Sequence, residues 1–180
     1  MPLYAFGSNG NGQLGIGHRE DCHEPTVCCL SADSIASVVG GGNHSLLITN
    51  DQQLWTAGAC EAEQQGHKST TPTSVFRRIA DTDKDDTNVL PSSAIRVAAG
   101  WEHSLVLSSE YALWTCGANR HGQCGRSIMG STESPTRIAC MVRDEETRAA
   151  QFLAVAAGLR SSYAITNDGQ LYAWGCNRSG

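Results

Sequence analysis

The 180-residue chain is short of charge: 13 Lys and Arg against 18 Asp and Glu, 17% of its residues, for a formal net charge of −5. It lacks the basic excess that holds nucleic-acid phosphates, so no direct nucleic-acid partner is expected. With 40% hydrophobic residues and so few charges, it is neither a disordered acidic tail nor a coiled coil. No apolar run approaches the roughly 18 residues of a membrane span, so no membrane partner is expected either. Met1-Pro2-Leu3-Tyr4-Ala5-Phe6-Gly7 has no basic stretch followed by an apolar one, which argues against a secretory signal. The expected compartment is the cytoplasm, the nucleus or both.

Signatures of sites are missing as well. Cys22, Cys28, Cys29, Cys60, Cys116, Cys124, Cys140 and Cys176 form no C-x-x-C pair, so a zinc site lacks its ligand spacing. A disulfide framework would need an oxidising compartment, and reduced, mostly buried thiols are the simpler expectation. There is no Gly-rich phosphate loop ending in Lys-Ser/Thr and no Gly-x-Ser-x-Gly elbow. Asp81-Thr82-Asp83-Lys84-Asp85 starts like a calcium loop, but Asp86 and Ser92 stand where it needs Gly and Glu. The segments 81–93 and 143–151 therefore read as solvated insertions. Asn43-His44-Ser45 and Asn177-Arg178-Ser179 match the glycosylation sequon, which is idle without a secretory route. No catalytic residue, metal or cofactor is expected, and the chain is not read as an enzyme.

What the chain does have is glycine, 19 residues of it, and a phrase that repeats. Leu3-Tyr4-Ala5-Phe6-Gly7 returns as Leu54-Trp55-Thr56-Ala57-Gly58, Leu113-Trp114-Thr115-Cys116-Gly117 and Leu171-Tyr172-Ala173-Trp174-Gly175. The aligned glycines are 51, 59 and 58 residues apart. Gln13, Gln64 and Gln123 each stand two residues before a further glycine. A second phrase, Val38-Val39-Gly40-Gly41-Gly42-Asn43-His44-Ser45, returns around Gly100-Trp101-Glu102-His103-Ser104 and Gly158-Leu159-Arg160-Ser161-Ser162. Pro25-Thr26, Pro72-Thr73 and Pro135-Thr136 add a third landmark. Landmarks in fixed order at spacings of 51, 59 and 58 residues mark a repeat architecture.

Each period reads as short strands between turn signals. Val27 to Leu30, Ile35 to Val39, Leu46 to Thr49 and Leu54 to Ala57 alternate with Gly, Asn-Asp and Pro-Thr punctuation. Four strands per roughly 50–60 residues without helical periodicity is the pattern of a propeller blade. The expected fold is therefore all-β, one repeat domain over 1–180. Its repeats are 3–53, 54–112, 113–170 and an incomplete 171–180.

The phrases Leu-Tyr-Ala-Trp-Gly-x-Asn, Gly-Gln-Leu-Gly and Ala-Gly-x-x-His-Ser resemble the regulator of chromosome condensation repeat. That resemblance implies blades of a seven-bladed propeller, of which this chain would supply three and the start of a fourth. The repeat would continue past Gly180 with Gln-Leu-Gly, so a truncated chain is expected, with self-association or a shorter arc protected by a partner as the alternatives. More narrowly, Tyr4 to Asp21 with Gly41-Gly42-Asn43-His44-Ser45 is similar to the fungal alpha-tubulin suppressor proteins. That resemblance implies a regulatory role in diphthamide biosynthesis and tRNA wobble-uridine modification, through a small zinc-binding partner. The family's guanine-exchange members imply an alternative, a small GTPase partner held by histidines and acidic residues of the Gly-x-x-His-Ser turns.

Carried to this chain, those turns name Asn43, His44, Trp101, Glu102, His103 and Arg160 as candidate partner-binding residues. The turns hold Asn, Glu and Arg and no aspartate, which departs from the exchange pattern. His44 and His103 share one repeat position with Ser161, and the structural alternative for them is a hydrogen bond between blades. Trp55, Trp114 and Trp174 recur in strand phrases and are expected in packing. Trp101 varies instead with Gly42 and Leu159, as a loop tip does, and is expected to be exposed beside Glu102.

Overall fold

The computed structural model describes residues 2–30, 34–67, 71–79, 90–126, 136–137 and 151–178. Of the two insertions, 81–89 and 143–150 lie outside the described residues. Among the described residues there are thirteen strands and no helix, arranged in four antiparallel sheets.

The first sheet pairs β1 (Tyr4–Gly7) with β2 (Cys22–Val27). The second runs in order through β3 (Ile35–Gly40), β4 (His44–Thr49), β5 (Leu54–Gly58) and β6 (Thr73–Arg78). The third repeats it with β7 (Ala94–Ala99), β8 (His103–Ser108), β9 (Leu113–Gly117) and β10 (Thr136–Arg137). The fourth comprises β11 (Phe152–Ala157), β12 (Ser161–Thr166) and β13 (Leu171–Gly175). These are propeller blades. The sheets are offset from the sequence repeats, because the Leu-aromatic phrase that opens each repeat is the third strand of a sheet.

One strand lies elsewhere than the sequence pattern predicts. The stretch expected to begin at Val27 instead ends there, with Pro25 inside β2. Among the described residues β2 pairs on one side only, and Pro25 falls in the irregular stretch of that pairing between Thr26 and Cys22, where a missing N–H is tolerated. Cys28 then turns inward, its thiol 3.2 Å from the carbonyl of Leu14.

The core lies between sheets, and alternate side chains of one strand feed opposite interfaces. In β4, Leu46 and Ile48 pack forward on Ala94, Val97 and Val106 of the third sheet. Leu47 packs backward with Phe76, Ile16 and Cys28. In β8, Leu105 and Leu107 face forward to Phe152 and Ala164 of the fourth sheet. With both faces covered, every residue of β8 is buried, which is why its middle, Leu105-Val106-Leu107, is a continuous apolar run.

Glycine is required where β5, β9 and β13 end. Gly58, Gly117 and Gly175 hold φ of 106°, 103° and 112°. A Cβ there would lie 2.5, 2.3 and 2.4 Å from the carbonyl oxygens of Asn43, Glu102 and Arg160. Those same carbonyls accept bonds of 2.8 Å from the N–H groups of Ala59, Ala118 and Cys176. The turn between the first two strands of each blade is thereby anchored to the end of the third.

Candidate interaction face

Two kinds of residue meet in these turns, one buried between blades and one exposed. The buried kind is a relay. His44 Nε2 lies 2.7 Å from Ser104 Oγ of the next blade, and that hydroxyl donates to the carbonyl of Gln64 at 2.7 Å. His103 Nε2 lies 3.0 Å from Ser162 Oγ, which donates to the carbonyl of Gln123 at 2.6 Å. Ser45 makes the matching bond to the carbonyl of Gln13 at 2.8 Å. Because each serine spends its proton on a carbonyl, the histidine must donate from Nε2, which leaves Nδ1 without a proton. Nδ1 of both rings is buried without a hydrogen-bond partner, so a protonated ring would bury an unpaired donor.

Burial pushes the pKa of His44 down to about 4, helped by the neighbouring His103. Burial also lowers His103 to about 4, against a smaller opposing effect of a backbone bond at Ser161. Both rings are neutral bridges. Gly41 and Gly100 make room for them, since a Cβ would stand 2.5 and 2.0 Å from the respective ring carbons. His44 and His103 are only 1% and 0% exposed. Their rings lie inside the fold, on the bond between blades that was the structural alternative for them.

The exposed kind is centred on Trp101. Gly42 N–H donates to the carbonyl of Gly100 at 3.1 Å, and Trp101 N–H to that of Leu159 at 3.2 Å. This ladder holds successive turns side by side. The Trp101 ring lies over Gly42, where a Cβ would meet it at 2.6 Å, yet 47% of the residue is exposed. Leu159 beside it is 60% exposed. Glu102 and Arg160 are exposed as well, while Asn43 is half-buried.

A small cleft joins Trp101, Glu102, Leu159 and Arg160 to Arg120 and His121. Its volume is ≈ 50 Å³, against roughly 300–1,000 Å³ for small-molecule sites. Arg120 and His121 escaped the sequence reading, although they directly follow Asn119 in the repeat phrase. Their loop is capped by its own side chains. Asn119 Oδ1 accepts from Cys124 N–H at 3.0 Å, and Gln123 Oε1 accepts from His121 N–H at 2.9 Å. Gln13 and Gln64 cap the equivalent loops at 3.0 Å each, which explains the recurrence of glutamine there. Among the described residues no cluster of three or more His, Cys, Asp or Glu side chains is placed to hold a metal ion.

Descriptions of the regulator of chromosome condensation (RCC1) repeat match residues 2–48, 94–123 and 152–180. The chain belongs to the RCC1-repeat family. It is 30% identical over 176 residues to the secretion-regulating guanine nucleotide exchange factor of Bos taurus, covering 96% of this chain and 35% of that protein. It is 29% identical to an RCC1 repeat-containing protein of Schizosaccharomyces pombe, over 99% of this chain and 50% of the other. The chain thus spans half or less of the length of these curated relatives. Human WBSCR16 shares the fold with a TM-score of 0.75 at 23% identity, covering 97% of this chain and 43% of that one. Prp20p of Saccharomyces cerevisiae, whose structure was described with its binding to Gsp1p and histones, gives a TM-score of 0.74 at 22% identity. It covers 97% of this chain and 39% of Prp20p. For this RCC1-repeat chain the likeness to both structures speaks for the fold: a partial propeller.

Proposed function

We propose that this chain is a noncatalytic propeller that docks a protein partner on the Trp101 face. One observation carries the reading. An aromatic and an aliphatic residue stand exposed, side by side, at turn positions that vary between blades, next to the recurring His44 and His103, which are buried. Exposed aromatics in pockets with charged neighbours tend to dominate binding energy, and loops on a rigid scaffold are where recognition is usual. The thiols of Cys28 and Cys60 are pushed up to about 11 by burial, which keeps them protonated and poor nucleophiles. A reducing compartment, cytoplasmic or nuclear, is part of the same proposal.

The test is a pull-down from cell extract with the full chain and with Trp101→Ala as baits. Proteins held by the face should be lost from the variant, at a cost of roughly 2 kcal/mol or more of affinity. Recovery of the same proteins at the same level would end this reading. The identity of what is captured decides the finer proposal, a small zinc-binding partner of diphthamide biosynthesis. Only the resemblance of residues 4–21 to the alpha-tubulin suppressors supports that assignment.

Guanine-nucleotide exchange on a small GTPase is the second reading, as plausible as the first. The relatives named guanine nucleotide exchange factors, at 30% and 33% identity, favour it. Asn43, Glu102 and Arg160 in the turns, and the burial of His44 and His103, weigh against a copied exchange mechanism. Release of a fluorescent nucleotide from a panel of small GTPases separates the two. Acceleration abolished by Trp101→Ala and Glu102→Ala would establish exchange; no acceleration would leave docking alone.

A further inference from the structure

We propose that the Trp101 face takes an acidic segment of the partner protein, one that carries a single apolar anchor residue. The proposal rests on the docking reading above and adds the chemistry of what docks. Charge changes sign from blade to blade along this face. The turn position runs from Asn43 through Glu102 to Arg160, and the loop position that follows each third strand runs from Glu61 to Arg120. Trp101 stands where the acidic side gives way to the basic one. At its cleft two guanidinium groups, Arg120 and Arg160, meet a single carboxylate, Glu102. This is a basic spot on a chain of net charge −5.

Guanidinium forks match carboxylates in geometry as well as in charge. The exposed rims of Trp101 and Leu159 offer apolar contact beside them, and the ≈ 50 Å³ cleft admits little more than one aliphatic side chain. An extended segment of Asp and Glu with one Leu satisfies all three features. A basic segment would meet Arg120 and Arg160 with like charge. A purely apolar one would leave both guanidinium groups without partners.

The experiment uses the full chain and short fluorescein-labelled peptides, read by fluorescence polarisation. The first peptide combines Asp, Glu and Ser with a central Leu; the second replaces its acids with Lys; the third replaces Leu with Ser. The first should bind, and each change should weaken binding about tenfold or more. Arg120→Glu with Arg160→Glu should lose the first peptide and gain the second, while Trp101→Ala should erase the advantage of Leu. All three positions are exposed, and thermal melts of the variants check that they fold. Failure of the acidic Leu peptide to bind, equal binding of the Lys peptide, or indifference to the arginine reversals would each overturn the proposal. If the peptides fail while the pull-down still depends on Trp101, the docking reading stands and only the acidic segment falls. If the pull-down does not depend on Trp101, both fall.

Discussion

The third and fourth sheets are built from the same phrase and differ in what covers them. In β8 and β9 the forward-facing Leu105, Leu107 and Leu113 are 0%, 0% and 1% exposed. Their counterparts in β12 and β13, Tyr163, Ile165 and Leu171, are 38%, 42% and 66% exposed. The strands and registers match, so the difference lies in the neighbour. A blade does not bury its own forward face; the next blade does so, as in other stacked repeats. In the 180-residue chain, therefore, equivalent substitutions should carry unequal costs.

The largest gap is expected between Leu105→Ala and Ile165→Ala. Leu105 is enclosed on all sides, so its truncation should cost about 2–5 kcal/mol through lost contact and a cavity. Ile165→Ala should stay within about 1 kcal/mol, as for an exposed position. Urea melts of both variants make the comparison. Equal costs would mean that the fourth sheet is covered in solution.

The relay gives a second, pH-dependent comparison. Unfolded, a histidine titrates near 6.5; folded, His44 and His103 titrate at about 4. Between those values the unfolded chain binds more protons. Stability is therefore complete above about pH 6.5 and falls as the pH drops toward 4. Full expression of such a shift is worth on the order of 3 kcal/mol per ring. Replacing both by Gln should flatten the acid limb of a stability–pH curve. The bond-equivalent position in the fourth sheet, Ser161, has no such titration to lose.

The smallest effect concerns the hairpins. The left-handed position is Gln52 in the second sheet, Tyr111 in the third and Gly169 in the fourth, with φ of 65°, 60° and 83°. Only the fourth uses the residue suited to it. Tyr111→Gly should thus raise stability by up to about 1 kcal/mol, visible as a higher melting temperature. A lower one would show that the tyrosine ring compensates its backbone.

Much of the frame was legible because repeated positions answer one physical demand. Gly58, Gly117 and Gly175 recur since no Cβ fits beside the turn carbonyls, and the bond between blades could be read from His44 and His103 recurring with a serine behind them. The role of Gln13, Gln64 and Gln123 was visible as recurrence without a cause. The cause is a loop cap plus a carbonyl accepting from a serine 32 to 40 residues away, a closure that spacing alone does not reveal. Gln65 was hidden for another reason. Where the other repeats cap this loop with Asn9 and Asn119, the second has Cys60, and Gln65 instead bonds Gly58 and Thr56 from a different position. Arg120 and His121 join Trp101 only through the meeting of a loop and two turns from neighbouring blades, so their share of the face had to come from the structure.

The central claim is that the turns divide their labour, with the histidines holding blades together and Trp101 left free to dock. Thermal denaturation of His103→Ala and Trp101→Ala side by side tests it most directly. His103→Ala empties a buried site and leaves Ser162 short of a donor, so a loss of about 2 kcal/mol or more is expected. Trp101→Ala should remain within about 1 kcal/mol of the unaltered chain. A collapse of Trp101→Ala with His103→Ala unaffected would contradict the account.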